Sequence, residues 1–306
     1  MNAAILFGLL FLLMVVGMPI GVALGLTVFL FMGVLANVPL ESVTLKMMSA
    51  VEKFELLAIP FFILAGNFLT SGGVARRMIR FANVMVGHIT GGLGMTAVAA
   101  CALFAAVSGS SPATVLAIGS ILIPAMLKQG FSQRFAIGTV ASAGGLGILI
   151  PPSIVMVMYA VTTNSSIGAL FMAGVVPGIV LTLMLAATTW WQAKKNHFPK
   201  QPKASWRERW EAFRDAIWGL MLILIVMGGI YAGIFTATEA AAMSAVYAAF
   251  IALYVYRDLT WRDVPRVFIE SANMASMLFF IISGAVVFSF ILTSEQIPQM
   301  LAQAII

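Results

Sequence analysis

Between residues 135 and 193 the chain carries no Asp, Glu, Lys or Arg, a run of 59 residues. Ordinary soluble domains contain roughly 25% charged residues, so a run of this length has no place on a water-facing surface. A helix needs about 20 apolar residues to cross a hydrocarbon core of roughly 30 Å, and this run alone holds at least two crossings. Further charge-free runs cover residues 1–40, 56–75 and 81–127. None shows the period-2 alternation of a barrel strand. Backbone in lipid must satisfy its own hydrogen bonds, so the spans are expected to be helices. With 61% hydrophobic and 9% charged residues, the fold class that follows is an all-α polytopic membrane protein.

The first apolar stretch has no basic region before it and runs to about Leu35, too long for a cleaved signal peptide. The single Cys101 can form no disulfide within the chain. The net charge of +6 is concentrated: Lys194, Lys195, Lys200, Lys203, Arg207, Arg209 and Arg214 fall in one stretch flanked by Trp190, Trp191, Trp206, Trp210 and Trp218. Basic residues bordered by interfacial Trp read as a cytoplasmic loop, here 194–214. Helical segments are expected at about 3–35, 54–71, 84–107, 112–127, 135–162, 168–191, 215–234, 237–256 and 272–293.

The halves on either side of this loop resemble each other weakly. Leu57-Ala-Ile-Pro-Phe-Phe-Ile-Leu-Ala-Gly66 leads to Leu69-Thr70-Ser71, and Met277-Leu-Phe-Phe-Ile-Ile-Ser-Gly284 leads to Leu292-Thr293-Ser294. An offset of roughly 215–225 residues suits the duplicated halves of secondary transporters. The alternative is chance likeness between apolar segments. On the duplication reading, residues 1–193 form a first repeat, 194–214 the loop, and 215–306 the start of a second repeat whose end is missing. A full protein of about 420 residues is then expected.

Two places interrupt apolar sequence. The first is Ser108-Gly109-Ser110-Ser111-Pro112-Ala113-Thr114. Gly and Pro end helices, and hydroxyls cap the freed backbone groups. A re-entrant helical hairpin over about 95–127 is expected; an ordinary loop between two short spans is the alternative, though such a loop usually carries a charge. The second is Gly144-Gly145-Leu146-Gly147-Ile148-Leu149-Ile150-Pro151-Pro152-Ser153. Two prolines remove two amides just after three glycines, which predicts a discontinuous helix over about 135–162 rather than a passive kink. Irregular backbone at membrane depth occurs where it lines a cavity or packs in protein. Half-helix N-termini suit a carboxylate, and unwound carbonyls with hydroxyls suit Na⁺. The candidate substrate and ion site therefore takes in Ser108, Gly109, Ser110, Ser111, Pro112, Thr114, Gly145, Gly147, Pro151, Pro152 and Ser153, with Na⁺ held near Ser110 and Gly145.

Thr236 and Glu239 have the spacing of a capping box and are assigned to capping or a subunit contact. Asn67 reads as structural or ion-ligating, His88 as a loop residue, and Arg76, Arg77 and Arg80 as headgroup anchors. One Cys, two His and no paired acids within the spans speak against an intramembrane enzyme, and no cofactor is expected.

On Ile59-Pro-Phe-Phe-Ile-Leu-Ala-Gly66, Ser71-Gly-Gly-Val-Ala-Arg-Arg77, Ser108–Thr114, Leu149-Ile-Pro-Pro-Ser153 and Gly233-Ile-Phe-Thr-Ala-Thr-Glu-Ala-Ala-Ala242, the chain resembles the large membrane subunit of the tripartite ATP-independent periplasmic (TRAP) transporters of the ion-transporter superfamily. The resemblance covers essentially the whole chain. It implies an inverted-repeat, elevator-type carrier in a bacterial inner membrane. It also implies a small four-helix membrane subunit, a periplasmic substrate-binding protein, a Na⁺ gradient in place of ATP, and small organic acids as substrates: C4-dicarboxylates, keto acids or sialic acids. The family's second hairpin and second broken helix have no counterpart in these residues. A single-component anion carrier of the same superfamily is the alternative.

Overall fold

The computed structural model describes residues 2–34 and 40–305. All regular structure in the described residues is helical: α1 (Asn2–Val15), α2 (Ile20–Val34), α3 (Leu40–Val51), a 3₁₀ turn (Phe54–Leu57), α4 (Ala58–Ser71), α5 (Val74–Val86), α6 (Gly92–Ser108), α7 (Ser111–Lys128), α8 (Gln133–Gly144), α9 (Leu146–Leu149), α10 (Ile154–Thr163), α11 (Ile167–Lys195), α12 (Trp206–Tyr231), α13 (Ala237–Phe250) continued by a π-helical turn (Ile251–Val255), α14 (Val264–Ser294) and α15 (Ile297–Ile305). Six of these are long and apolar enough to cross a membrane: Phe54–Ser71, Ser111–Lys128, Ile167–Lys195, Trp206–Tyr231, Ala237–Val255 and Val264–Ser294. The bent pair Gln133–Leu149 and Ile154–Thr163 makes a seventh. The chain is thus a polytopic, all-helical membrane protein, as its charge-free runs require.

The chain forms two compact units. One consists of residues 1–54 and 273–306. Its core joins Leu6 and Leu10 of α1, Val28 and Phe31 of α2, and Val287, Phe288 and Ile291 of α14. Small residues let α2 and α14 approach closely: a methyl group on Gly284 would lie 3.1 Å from the Gly21 carbonyl oxygen. Asn2 Nδ2 donates to Glu295 at 2.6 Å, a charge-assisted bond that ties the first helix to the end of α14.

The other unit is residues 55–272. Here α4 lies along α13, and α5, α6 and α12 pack together. Asn67 donates to Ser271 at 2.8 Å, so it links α4 to α14 structurally. The connection after α11 is stitched down by side chains: Asn83 Nδ2 donates to Gln201 Oε1 at 2.8 Å, and Thr96 donates to Asn83 Oδ1 at 3.0 Å. Phe198 stacks on Phe131 and Phe135, with centroids 4.6 and 4.9 Å away.

Several expectations are corrected. The single helix over 3–35 is two, because Gly17 takes φ +90° and Pro19 follows, the usual stop signal; its expected end at Leu35 lies outside the described residues. The amphipathic α5 was hidden by its charges: Val74, Ala75, Met78, Ile79 and Ala82 are buried at helical spacing, with Arg76, Arg77 and Arg80 between them. Two of these arginines are ion-paired within the chain. Arg77 pairs with Asp258 and lies 3.8 Å over the Tyr256 ring, and Arg80 pairs with Asp215. The basic stretch is helical at both ends, with a connection only at residues 196–205: Lys194 and Lys195 end α11, and a Ser205–Glu208 capping box starts α12 at Trp206. α14 likewise begins at Val264, ahead of the expected 272.

The second capping box stands as expected. Thr236 Oγ1 accepts from the Glu239 amide at 3.3 Å, and Glu239 Oε2 accepts from the Thr236 amide at 2.8 Å. Thr236→Ala should therefore destabilise the protein by about 1 kcal/mol, seen as a lower melting temperature in detergent, while Thr236→Ser melts like the parent. An unchanged Thr236→Ala melt would show that the cap contributes nothing.

Candidate functional site

The hairpin α6–α7 turns within two residues. Gly109 closes α6 at φ +61°, with its amide donating to the Ala105 carbonyl at 3.0 Å; glycine takes this conformation without a Cβ clash. Pro112 sits in the first turn of α7, where a missing amide breaks no helical bond. Thr114 Oγ1 donates to the Ser110 carbonyl at 2.8 Å. Its proton is then committed, so the 3.0 Å contact with Ser108 Oγ is a bond donated by Ser108. Both side chains are buried. Ser108 and Thr114 therefore hold the tip together from within.

The second interruption takes three steps. α8 stops at Gly144, the short α9 follows, and residues 150–153 leave the helix before α10 begins; the limbs are bent by 41°. Gly145 donates to the Ser142 carbonyl at 3.2 Å and Ile150 to that of Leu146 at 2.8 Å. Pro151, Pro152 and Ser153 are buried. The expected discontinuous helix is present.

The two interruptions meet. The Ile154 amide, first in α10, donates to the Gly109 carbonyl at 3.2 Å. A methyl on Gly109 would sit 2.7 Å from the Pro152 carbonyl oxygen. One on Gly147 would sit 2.8 Å from both the Ser110 carbonyl carbon and the Ser111 nitrogen. These are main-chain contacts that no side chain could fit between. Three supports were not read from the sequence. Gly66 of α4 backs Ser108, where a methyl would lie 3.3 Å from its carbonyl oxygen, while Gly174 and Gly178 of α11 seat Leu149 and Ile150. Gly174-Val-Val-Pro-Gly178 is a small-xxx-small spacing that could have revealed the last two.

The junction offers two kinds of group. α7 and α10 both begin there, and the first amides of a helix lack partners within it and carry its positive dipole end. Ser110 and Ser153 occupy the N-cap positions in extended conformation, yet neither hydroxyl caps its helix. α6 and α9 both end there, directing carbonyl oxygens outward from their last turns. The hydroxyls of Ser111 and Ser153 are buried and have no hydrogen-bond partner among the described residues. A buried hydroxyl left unmatched costs roughly 1–3 kcal/mol, so both retain hydrogen-bonding capacity that the fold does not use. Their neutral oxygens, with the nearby carbonyls, fit a hard monovalent cation such as Na⁺. Among the described residues no cluster of three His, Cys, Asp or Glu could hold a metal ion. Behind the break lies a separate cavity of about 460 Å³, lined by apolar residues such as Leu103, Ile150, Pro151 and Ile179, unsuited to an acid.

A many-spanned helical protein in which a hairpin and a broken helix meet tip to break is built as a membrane transport component. The chain belongs to the DctM component family of the tripartite ATP-independent periplasmic transporters, whose family model matches residues 7–306. It is 61% identical to the C4-dicarboxylate TRAP transporter large permease protein DctM of Rhodobacter capsulatus, over 99% of this chain and 72% of that protein. The proteins of the same name from Pseudomonas aeruginosa and Vibrio cholerae are 53% and 46% identical, covering 92% and 100% of this chain and 65% and 72% of their own lengths. The chain is therefore a transporter permease component and not an enzyme.

Gly147→Val should part the tip from the break. Amides of residues 108–114 are expected to exchange hydrogen about tenfold faster, in line with loosening a packed element by ~1.4 kcal/mol, while α12 amides are unaffected. Unchanged protection at the tip would remove the main-chain contact from the description.

Proposed function

We propose that this chain is the membrane permease of a Na⁺-coupled, binding-protein-dependent importer of C4-dicarboxylates in a bacterial inner membrane. The observation that carries the reading is the junction itself: two helix N-termini for an anion beside two unpartnered buried hydroxyls and two carbonyl ends for a cation. Cation and anion then bind side by side, each lowering the cost of burying the other's charge, which is the energetic basis of coupled uptake. The substrate class is favoured by the names of the three relatives above. A carboxylate would take the free amides of α7 and α10, and Na⁺ would take the Ser111 and Ser153 hydroxyls with carbonyls near Ser110 and Gly145. Ser108, Thr114, Gly109, Gly147, Pro151 and Pro152 act by fixing backbone geometry.

The same reading includes a small four-helix membrane subunit and a periplasmic protein that delivers the substrate. It also includes an elevator movement of the hairpin and broken helix as one body, since their seam is main chain against main chain. Residues 215–306 would form the start of a second, inverted repeat.

The test is uptake of labelled succinate into proteoliposomes holding the full-length protein and its small subunit, with the Na⁺ gradient and the binding protein each added or withheld. Uptake is expected only with both. Ser111→Ala and Ser153→Ala should each raise the half-saturating Na⁺ concentration about tenfold, equivalent to ~1.4 kcal/mol, with the fold intact. Uptake indifferent to Na⁺ would overturn the coupling, and uptake indifferent to the binding protein would favour a single-component carrier.

A further inference from the structure

Away from the junction, α8 and α11 border a second space of a different kind, open on one side. It is a groove of about 260 Å³, lined by Arg134, Thr139, Ser142, Thr188, Thr189 and Gln192. On α8, Arg134, Gly138 and Ser142 recur every four residues along one face, with Thr139 beside them; Thr188, Thr189 and Gln192 share the opposing face of α11. α11 is long and apolar enough to span a membrane, and α8 lies in one limb of the bent pair that reaches that length together with α10. A stripe that faced lipid would have no reason to collect hydroxyls, an amide and a guanidinium, since polar groups in spanning helices turn toward protein or water. A methyl on Gly138, between Arg134 and Ser142, would meet no atom within 4 Å, so the face is open there.

The charge in this groove is of one sign. No Asp or Glu occurs from residue 135 to 193. Unlike Arg77, Arg80, Arg207 and Arg266, Arg134 makes no ion pair among the described residues. The end of α11 adds Lys194 and Lys195, each held against a tryptophan ring at 5.3 and 5.7 Å. From Arg134 to Ser142 the groove runs about 12 Å at the helical rise. Its inner end abuts the break, because Gly145 donates to the Ser142 carbonyl.

We propose that this groove is a second binding site for a small carboxylate, a station between the junction and the membrane face that bears the basic residues. Arg134 takes one carboxylate through its planar fork, and Thr139, Ser142 and Gln192 take the remaining oxygens. By the positive-inside rule that face is cytoplasmic, which makes the groove part of the release path. The substrate class rests on the proposed function above.

The test reads occupancy without needing transport. In proteoliposomes of the full-length protein and its small subunit, Thr188→Cys provides a thiol at the groove, and Leu185→Cys, on the same lining, is a second reporter. The native Cys101 is fully buried and leaves the background low. Succinate is expected to slow maleimide labelling, and the neutral succinamide is not. Arg134→Gln should raise the succinate concentration for half-protection about tenfold, as for loss of one charge-assisted hydrogen bond, and Arg134→Lys should raise it less. Labelling indifferent to succinate at both reporters, equal protection in Arg134→Gln, or no labelling at either position overturns the site. Labelling governed by the phosphatidylglycerol content of the vesicle, without a succinate effect, assigns the groove to a lipid headgroup and overturns it as well. Protection without succinate uptake would remove the transport reading and keep the groove; uptake without protection would do the reverse.

Discussion

A backbone that leaves its helix in hydrocarbon must find hydrogen-bond partners in protein, because lipid offers none. In this chain two such departures supply each other. The Gly109 carbonyl, freed at the end of α6, receives the Ile154 amide, freed at the start of α10. Everything near the junction serves that exchange: glycines at 66, 109, 147, 174 and 178 permit the approach, and Ser108 with Thr114 ties the turn from inside. The groups left over after this accounting, the hydroxyls of Ser111 and Ser153 and the remaining terminal amides and carbonyls, are the ones available to a ligand. Structure and binding draw on one pool of polar atoms.

The distribution of charge follows the same economy. Arg77 and Arg80 pair α5 with residues beyond α11, Asp258 in the connection before α14 and Asp215 within α12. The junction holds no ionisable side chain. Dipoles and neutral oxygens need no counter-charge at that depth, whereas a fixed charge there would be costly to hold unpaired.

How much of this was legible in the sequence varied with the kind of signal. Charge-free runs gave the spans, and clustered Gly, Ser and Pro gave both interruptions, because those residues act through local backbone geometry. Amphipathic α5 was overlooked because its arginines resemble a loop until Val74, Met78 and Ala82 are seen to share one face. The segment expected over 3–35 ran across the split between α1 and α2, although Gly17 and Pro19 stand just before the second helix. Which of the four hydroxyls at the tip are spent on the fold was not legible at all. Ser108, Ser110, Ser111 and Thr114 are chemically alike in sequence, and only the three-dimensional turn decides that Thr114 faces the Ser110 carbonyl while Ser111 is left over. The contact between tip and break was equally hidden, since Gly147 and Ser110 are far apart along the chain and touch through atoms that every residue shares.

That last property bears on how such a protein can diversify. A seam of main chain against main chain is indifferent to the identity of most side chains around it, requiring only that a few positions remain without one. Replacements that reshape the neighbouring lining, and with it ligand preference, can accumulate without disturbing the scaffold that aligns the helix ends. The alignment depends on a handful of glycines, and the side chains bordering it are not what holds it.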